Sequence, residues 1–253
     1  MEGVAYSIPV AAPLYGPVPY LYRGCPQLLV LFRSTGHALR RLVPEPLVPN
    51  PEALMFLMLG QMNSDEFGTN REAFLGVPSS FGTLEGNYAV ALYLDNDAAI
   101  ASGREVWGWP KKAADFRIAE DDGVVTATAT RGGVEIIRAR LQVTGPADLD
   151  ELRLNPTWFN LKLIPSIVQG APPEVMQITS TTLENVRVSD LRGGSASVSF
   201  ASTGPDPLAD IIEVREVLGG MHFSLDCDLT LGEVIHDYLA REGSPSLAAQ
   251  EVA

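Results

Sequence analysis

The chain carries 15 arginines but only three lysines, Lys111, Lys112 and Lys162, and two of the three are adjacent. They end an aromatic, glycine- and proline-bearing stretch, Gly103-Arg104-Glu105-Val106-Trp107-Gly108-Trp109-Pro110-Lys111-Lys112. A high-GC genome accounts for a general preference for arginine, but not for the pairing of the surviving lysines. A lysine becomes a nucleophile at neutral pH only if its ammonium form is destabilised, by burial among apolar groups or by a second cation close by. Trp107 and Trp109 can supply a dry wall, Pro110 fixes the backbone, and Lys112 can supply the neighbouring charge. If the pair follows a strand, its two side chains point to opposite faces, so the sequence does not apportion the two effects. The chemistry open to such an amine is imine formation with a carbonyl substrate. Taken alone, Trp-Pro-Lys-Lys also reads as a turn with two solvated lysines beside a packed aromatic pair, and that is the commoner meaning.

The elements around the pair read mostly as β. Gln27 to Arg33 is a short apolar run with the length of a buried strand. Ser34 is placed to cap a short helix through Leu42, which Pro44-Glu45-Pro46 ends. Leu54 to Leu59 and Asn87 to Leu94 read as strands, and Asp95-Asn96 can cap a helix carrying Ala98 to Val106. Val124–Thr130 and Val134–Val143 flank Arg131-Gly132-Gly133 as a hairpin. Val186–Val188 and Ala196–Phe200, around Asp190–Gly194, suggest a second, and Ile211–Val217 with Met221–Leu229 a third. Leu231 to Leu239 has the spacing of an amphipathic helix. The expected fold class is α+β, mostly antiparallel β with a few short helices. It is barrel-like, because closure removes exposed sheet edges. One domain is expected over 1–253, with flexible ends at 1–18 and 243–253.

The run from Tyr93 to Lys112, YLDNDAAIASGREVWGWPKK, resembles the acetoacetate decarboxylase family. Leu42 to Leu47 (LVPEPL), Pro78 with Phe81, and the final GEVIHDYL look like further landmarks in the same order, so the resemblance covers roughly Pro19 to Leu239. It implies a double-barrel or cone fold, a homo-oligomer and a small oxo-acid substrate. It also implies an imine on Lys111, with Lys112 lowering its pKa, an effect for which acetoacetate decarboxylase is itself the usual example. A gapless match of the earlier landmarks puts the family's active-site glutamate on Glu72, as an acid/base or orienting group. The same match puts a second family acid on Leu57 and a family arginine on Cys25, both departures. Trp109, Cys25, Leu57 and Gln61 are therefore the candidate substrate-binding positions, with Asn63 and Arg71 as further polar substitutes.

An enzyme-bound imine can lose CO2, enolise or attack an aldehyde, and the groups that hold the carboxylate and manage protons decide which. Decarboxylation of a 3-oxo acid is the first expectation. Aldol, dehydration or cyclisation chemistry on a 2-oxo acid is the second, as the changes at Cys25 and Leu57 would allow. A non-catalytic oxo-acid or ketone binding protein is the third.

Other signals are weaker. His37, His222 and His236 have no ligand spacing, so no metal is expected. No Gly-rich loop follows a strand, and no cofactor is expected. Asp206, Asp210 and Glu213 are read as facing water. Met55, Met58 and Met62 are read as core. The net charge of −13 argues against nucleic acid and anionic membranes as partners. No apolar run reaches spanning length, and the start has no basic segment before an apolar one. With two cysteines, Cys25 and Cys227, a reduced cytoplasmic setting is expected.

Overall fold

The computed structural model describes residues 6–148 and 155–240. The expected tail at 243–253 lies outside them. In chain order the elements are β1 (Tyr20–Arg33), helix α1 (Gly36–Leu42), β2 (Val48–Pro49), β3 (Leu54–Ser64), β4 (Gly68–Phe81) and β5 (Leu84–Leu94). Helix α2 (Asp97–Ser102) follows and runs into a π-helical turn, Gly103–Trp107. Then come β6 (Lys111–Ala113), β7 (Asp115–Asp121), β8 (Val124–Arg131), β9 (Val134–Pro146), β10 (Thr157–Ile164), β11 (Val175–Thr182), β12 (Glu184–Phe200), β13 (Glu216–Leu229) and β14 (Glu233–Asp237).

These strands form one 14-stranded sheet with the path β14-β11-β10-β5-β4-β3-β1-β13-β12-β9-β8-β7, while β2 pairs with β4 and β6 with β5. Pairing is antiparallel except where β5 meets β10 and β6. The mostly antiparallel β architecture is as expected, but the path keeps two ends, at β14 and β7, so the barrel-like wrap is not closed. Strand alternation sorts the apolar side chains into two cores. One holds Leu28, Val30, Leu57, Leu75 and Tyr93. The other holds Tyr22, Met58, Phe74, Trp109, Trp158 and Leu225.

Local chemistry explains most boundaries. In the β8–β9 hairpin Arg131 pairs with Val134, leaving Gly132 and Gly133 as a two-residue loop. Both have positive φ, +58° and +79°, as a turn matching the strand twist requires. Helix α1 is capped by Thr35, not Ser34: the Thr35 hydroxyl accepts from the Ala38 amide at 3.1 Å. Asn96 caps α2, accepting from the Ala99 amide at 2.9 Å. The regular helix stops at Ser102, short of the expected Val106, and the π turn carries the chain on.

Other expectations fail. Asp190–Gly194 is not a turn, because β12 runs straight through it and absorbs the extra residues as bulges against β13 and β9. Ile211–Val214 is not a strand, and Gly219-Gly220 lies within β13 rather than in a hairpin. The C-terminal helix is strand β14, laid against β11 with Val234 opposite Thr179 and His236 opposite Ile178. Tertiary pairing there overrides a helical spacing, aided by the strand preference of Val234 and Ile235. Residues 6–18, expected to be loose, are tied down: the Ser7 hydroxyl donates to the Tyr15 carbonyl at 2.8 Å, and the Tyr15 hydroxyl to Glu105 Oε2 at 2.5 Å. No helix among the described residues is long and apolar enough to cross a membrane.

Candidate active site

Three neighbouring strands bring the chemistry together. Glu72 on β4 lies opposite Leu94 of β5, and Lys111 on β6 lies beside Leu92 of the same strand. Leu92 and Leu94 share a face, so Glu72 and Lys111 share it too. Both line a cavity of about 70 Å³. Its walls follow the two-residue period: Met58 and Met62 from β3, Phe74 from β4, and Leu225, Cys227 and Leu229 from β13, with Tyr22, Leu183, Trp109 and Trp158 completing it. Phe74 and Trp158 meet edge to face at 4.4 Å, and Trp109 closes the aromatic group at 5.6 Å from Phe74.

Lys111 is 7% exposed. Its Nζ donates to the Ala99 carbonyl, in α2, at 3.0 Å, and among the described residues it has no carboxylate within salt-bridge distance. Burial lowers its pKa from the usual lysine value, and the Glu72 carboxylate opposes the shift only in part. Burial raises the Glu72 pKa in turn, opposed by Lys111. Glu72 keeps some surface toward the cavity but lies deep in the molecule, and its carboxylate makes no hydrogen bond to the described residues. An amine held this way gives up its proton more readily than an ordinary lysine, and in its neutral form it can attack a carbonyl carbon. An acid held closer to neutrality can give or take a proton beside it.

Lys112 is on the opposite face, its side chain 43% exposed, and pairs with Asp206. Arg131 meets the same carboxylate at 2.7 Å. Asp206 is thus buried between two cations rather than facing water. Burial, not the Lys112 charge, is the chief cause of the Lys111 shift.

Glycine makes the lysine's position available. A Cβ at Gly103 would lie 2.5 Å from Lys111 Cδ and 2.9 Å from Nζ. Gly108 has φ +83°, and a Cβ there would lie 2.5 Å from the Lys162 Cα. The π turn between these glycines is held by Lys162 Nζ donating to the Val106 carbonyl at 3.0 Å. The Thr179 hydroxyl donates to the Trp107 carbonyl at 2.6 Å. Trp107 faces away from the cavity, against Tyr20, and its indole N–H donates to the Thr230 carbonyl at 2.9 Å.

Of the positions read from the sequence, the structure gathers Lys111, Glu72 and Trp109 at the cavity. Leu57 lies on the other face of β3, in the other core, where an acid lost from the sequence has no bearing on this cavity. Cys25 is buried on the cavity side but does not line it; its sulfur accepts from the Asn63 amide at 3.3 Å. The Gln61 side chain donates to Asn63 Oδ1 and lines a different hollow, and Arg71 pairs with Asp95 at the surface. Sequence reasoning missed Tyr22, Met58, Met62, Phe74, Trp158, Leu183, Leu225, Cys227 and Leu229. Once Glu72 fixes one face of β4, alternation and the strand order would have found most of them. Met58 and Met62, which the sequence marks only as core, are cavity walls on β3.

A buried lysine over an apolar pocket on a mostly antiparallel sheet defines a class of protein with an amine poised for carbonyl chemistry, and comparison with known proteins supplies the family. The family model for acetoacetate decarboxylase matches residues 7–239, and the chain belongs to that family. It is 32% identical to acetoacetate decarboxylase 2 of Mesorhizobium japonicum over 95% of this chain and 92% of the relative. It is 31% identical to the acetoacetate decarboxylase of Ralstonia nicotianae, covering 94% and 96%. The crystal structure of acetoacetate decarboxylase from Legionella pneumophila superposes with a TM-score of 0.85 at 26% identity, covering 95% of this chain and 98% of that one.

Proposed function

We propose that this chain decarboxylates a small 3-oxo acid through an imine on Lys111. The observation that carries the reading is a lysine amine buried in an apolar cavity, bonded to a carbonyl rather than a carboxylate, with Glu72 beside it. The neutral amine adds to the ketone carbon, and the carbinolamine loses water to give a protonated imine. The bond to the carboxylate breaks, its electron pair moves toward nitrogen, CO2 leaves and an enamine remains. Glu72 is the acid/base for the proton that the enamine carbon then takes up. Hydrolysis of the resulting imine releases the ketone and frees Lys111. Membership of the family supports the reading, as do the names of the relatives.

Incubation with acetoacetate followed by borohydride should leave a permanent adduct on Lys111, read by peptide mass, and the unreduced reaction should release CO2. An adduct on Lys111 without CO2 would turn the reading to the second use of the same imine, a carbon–carbon bond-forming or dehydration step on a 2-oxo acid. That outcome has one observation in its favour: Lys111 is the sole cation lining the cavity among the described residues. No adduct, or one confined to Lys162, would sink the imine mechanism and leave the protein as a binder of ketones or oxo acids.

A further inference from the structure

An oxo acid has two oxygen functions, and the imine accounts for only one. Among the described residues the cavity offers one cation, Lys111, and one anion, Glu72, in walls that are otherwise apolar or neutral. Lys111 is bonded to the substrate during the reaction, and the Glu72 carboxylate accepts hydrogen bonds but repels a second carboxylate. Cys227 contributes only a thiol, a weak donor. The remaining hydroxyl is that of Tyr22.

Tyr22 sits on β1 between Cys227 of β13 and Ser64 of β3, and the residue is 6% exposed. It lines the cavity, and its hydroxyl makes no hydrogen bond to any described residue. Buried polar groups are normally partnered, and the cavity is where this one can find a partner. Burial, reinforced by the Glu72 carboxylate, raises its pKa well above that of an ordinary tyrosine, so the phenol keeps its proton and serves as a donor. The Trp109 indole N–H, also at the cavity, is a buried donor that lacks a protein partner.

We propose that the Tyr22 hydroxyl donates to the carboxylate of the bound oxo acid, doing with a neutral group what a cation would otherwise do. The inference rests on the imine chemistry proposed above. A neutral donor holds a carboxylate less tightly than a guanidinium would, and the carboxylate's charge disappears as CO2 forms. Weak holding of the ground state therefore favours the bond-breaking step.

The test compares levulinate with 2-pentanone. They differ in a carboxylate for a methyl group, and neither can lose CO2 through the imine. Borohydride labelling of Lys111 is measured against concentration for the wild-type chain and for Tyr22→Phe, which keeps the ring and so the packing. Loss of one hydrogen bond to a charged group should raise the half-labelling concentration of levulinate roughly tenfold while leaving that of 2-pentanone unchanged. Equal weakening of both compounds would show that Tyr22 only shapes the cavity, and no change in either would show that the carboxylate is met elsewhere. Either result overturns the proposal. Failure of the wild-type chain to be labelled by both compounds would instead overturn the imine reading on which it rests.

Discussion

Lys111 and Glu72 act on each other with opposite signs inside one dry cavity, and that coupling is measurable. Burial favours the neutral form of each, while each one's charge favours the charged form of the other. Only the neutral amine is a nucleophile, so imine trapping should rise with pH through the lowered pKa of Lys111. Glu72→Gln removes the anion that holds the proton on Lys111. The trapping midpoint should move to lower pH, while turnover falls by about 10² to 10⁴, the usual worth of a positioned proton carrier. A midpoint that stayed put would mean the two groups do not interact, and one that rose would contradict the sign of their coupling. Lys112 is the control. Its ammonium faces Asp206 rather than the cavity, so Lys112→Gln should leave the midpoint where it is. The pair it breaks is exposed at Lys112 but buried at Asp206, which keeps Arg131 as a partner, so the loss in a denaturant titration should be about 1 to 3 kcal/mol.

At the scale of elements, β6 is only three residues long, and the π turn before it decides where its side chains go. Gly103→Ala would put a Cβ against the stem of Lys111. The stem is flexible and the fold should survive, with a melting temperature near that of wild type, but labelling of Lys111 should slow by about tenfold or more, since displacement of a reacting group is costly. A labelling rate unchanged in this variant would show that the lysine does not react from the position seen. The sequence made much of this region legible: the strand ending at Leu94, the Asn96 cap, and the adjacent lysines on opposite faces. It hid the π turn, which has no composition of its own, and it hid the role of Gly103, which depends on a contact made only after folding. Likewise Asp190, Gly193, Gly194 and the Gly219-Gly220 pair carry turn signals that long strands took up as bulges, because partners on both sides held the register.

Taken as a whole, the molecule leaves its sheet open at β14 and β7. Strand β14 covers β11, whose Thr179 holds the Trp107 carbonyl and so the turn ahead of Lys111. A chain ending at Thr230 should expose β11 as an edge. It should melt at a lower temperature and scatter light increasingly with concentration, and an unaltered melt would show that β14 is dispensable. Family landmarks pointed to the architecture and to Lys111 and Glu72, which line one cavity. Residue matching alone misplaced Leu57, because a gapless alignment says nothing about which face of a strand a side chain occupies.

Two identical side chains placed back to back on so short a strand make the molecule its own ruler. One amine meets the dry cavity and its neighbour meets Asp206, and nothing but a single step along the chain tells them apart. One residue fewer between Gly108 and Lys111, if the strand accommodated the loss by sliding, would bring Lys112 to the cavity in place of Lys111. The position of the label, read by fragmenting one peptide, would then report the alignment of β6 without any structure being solved.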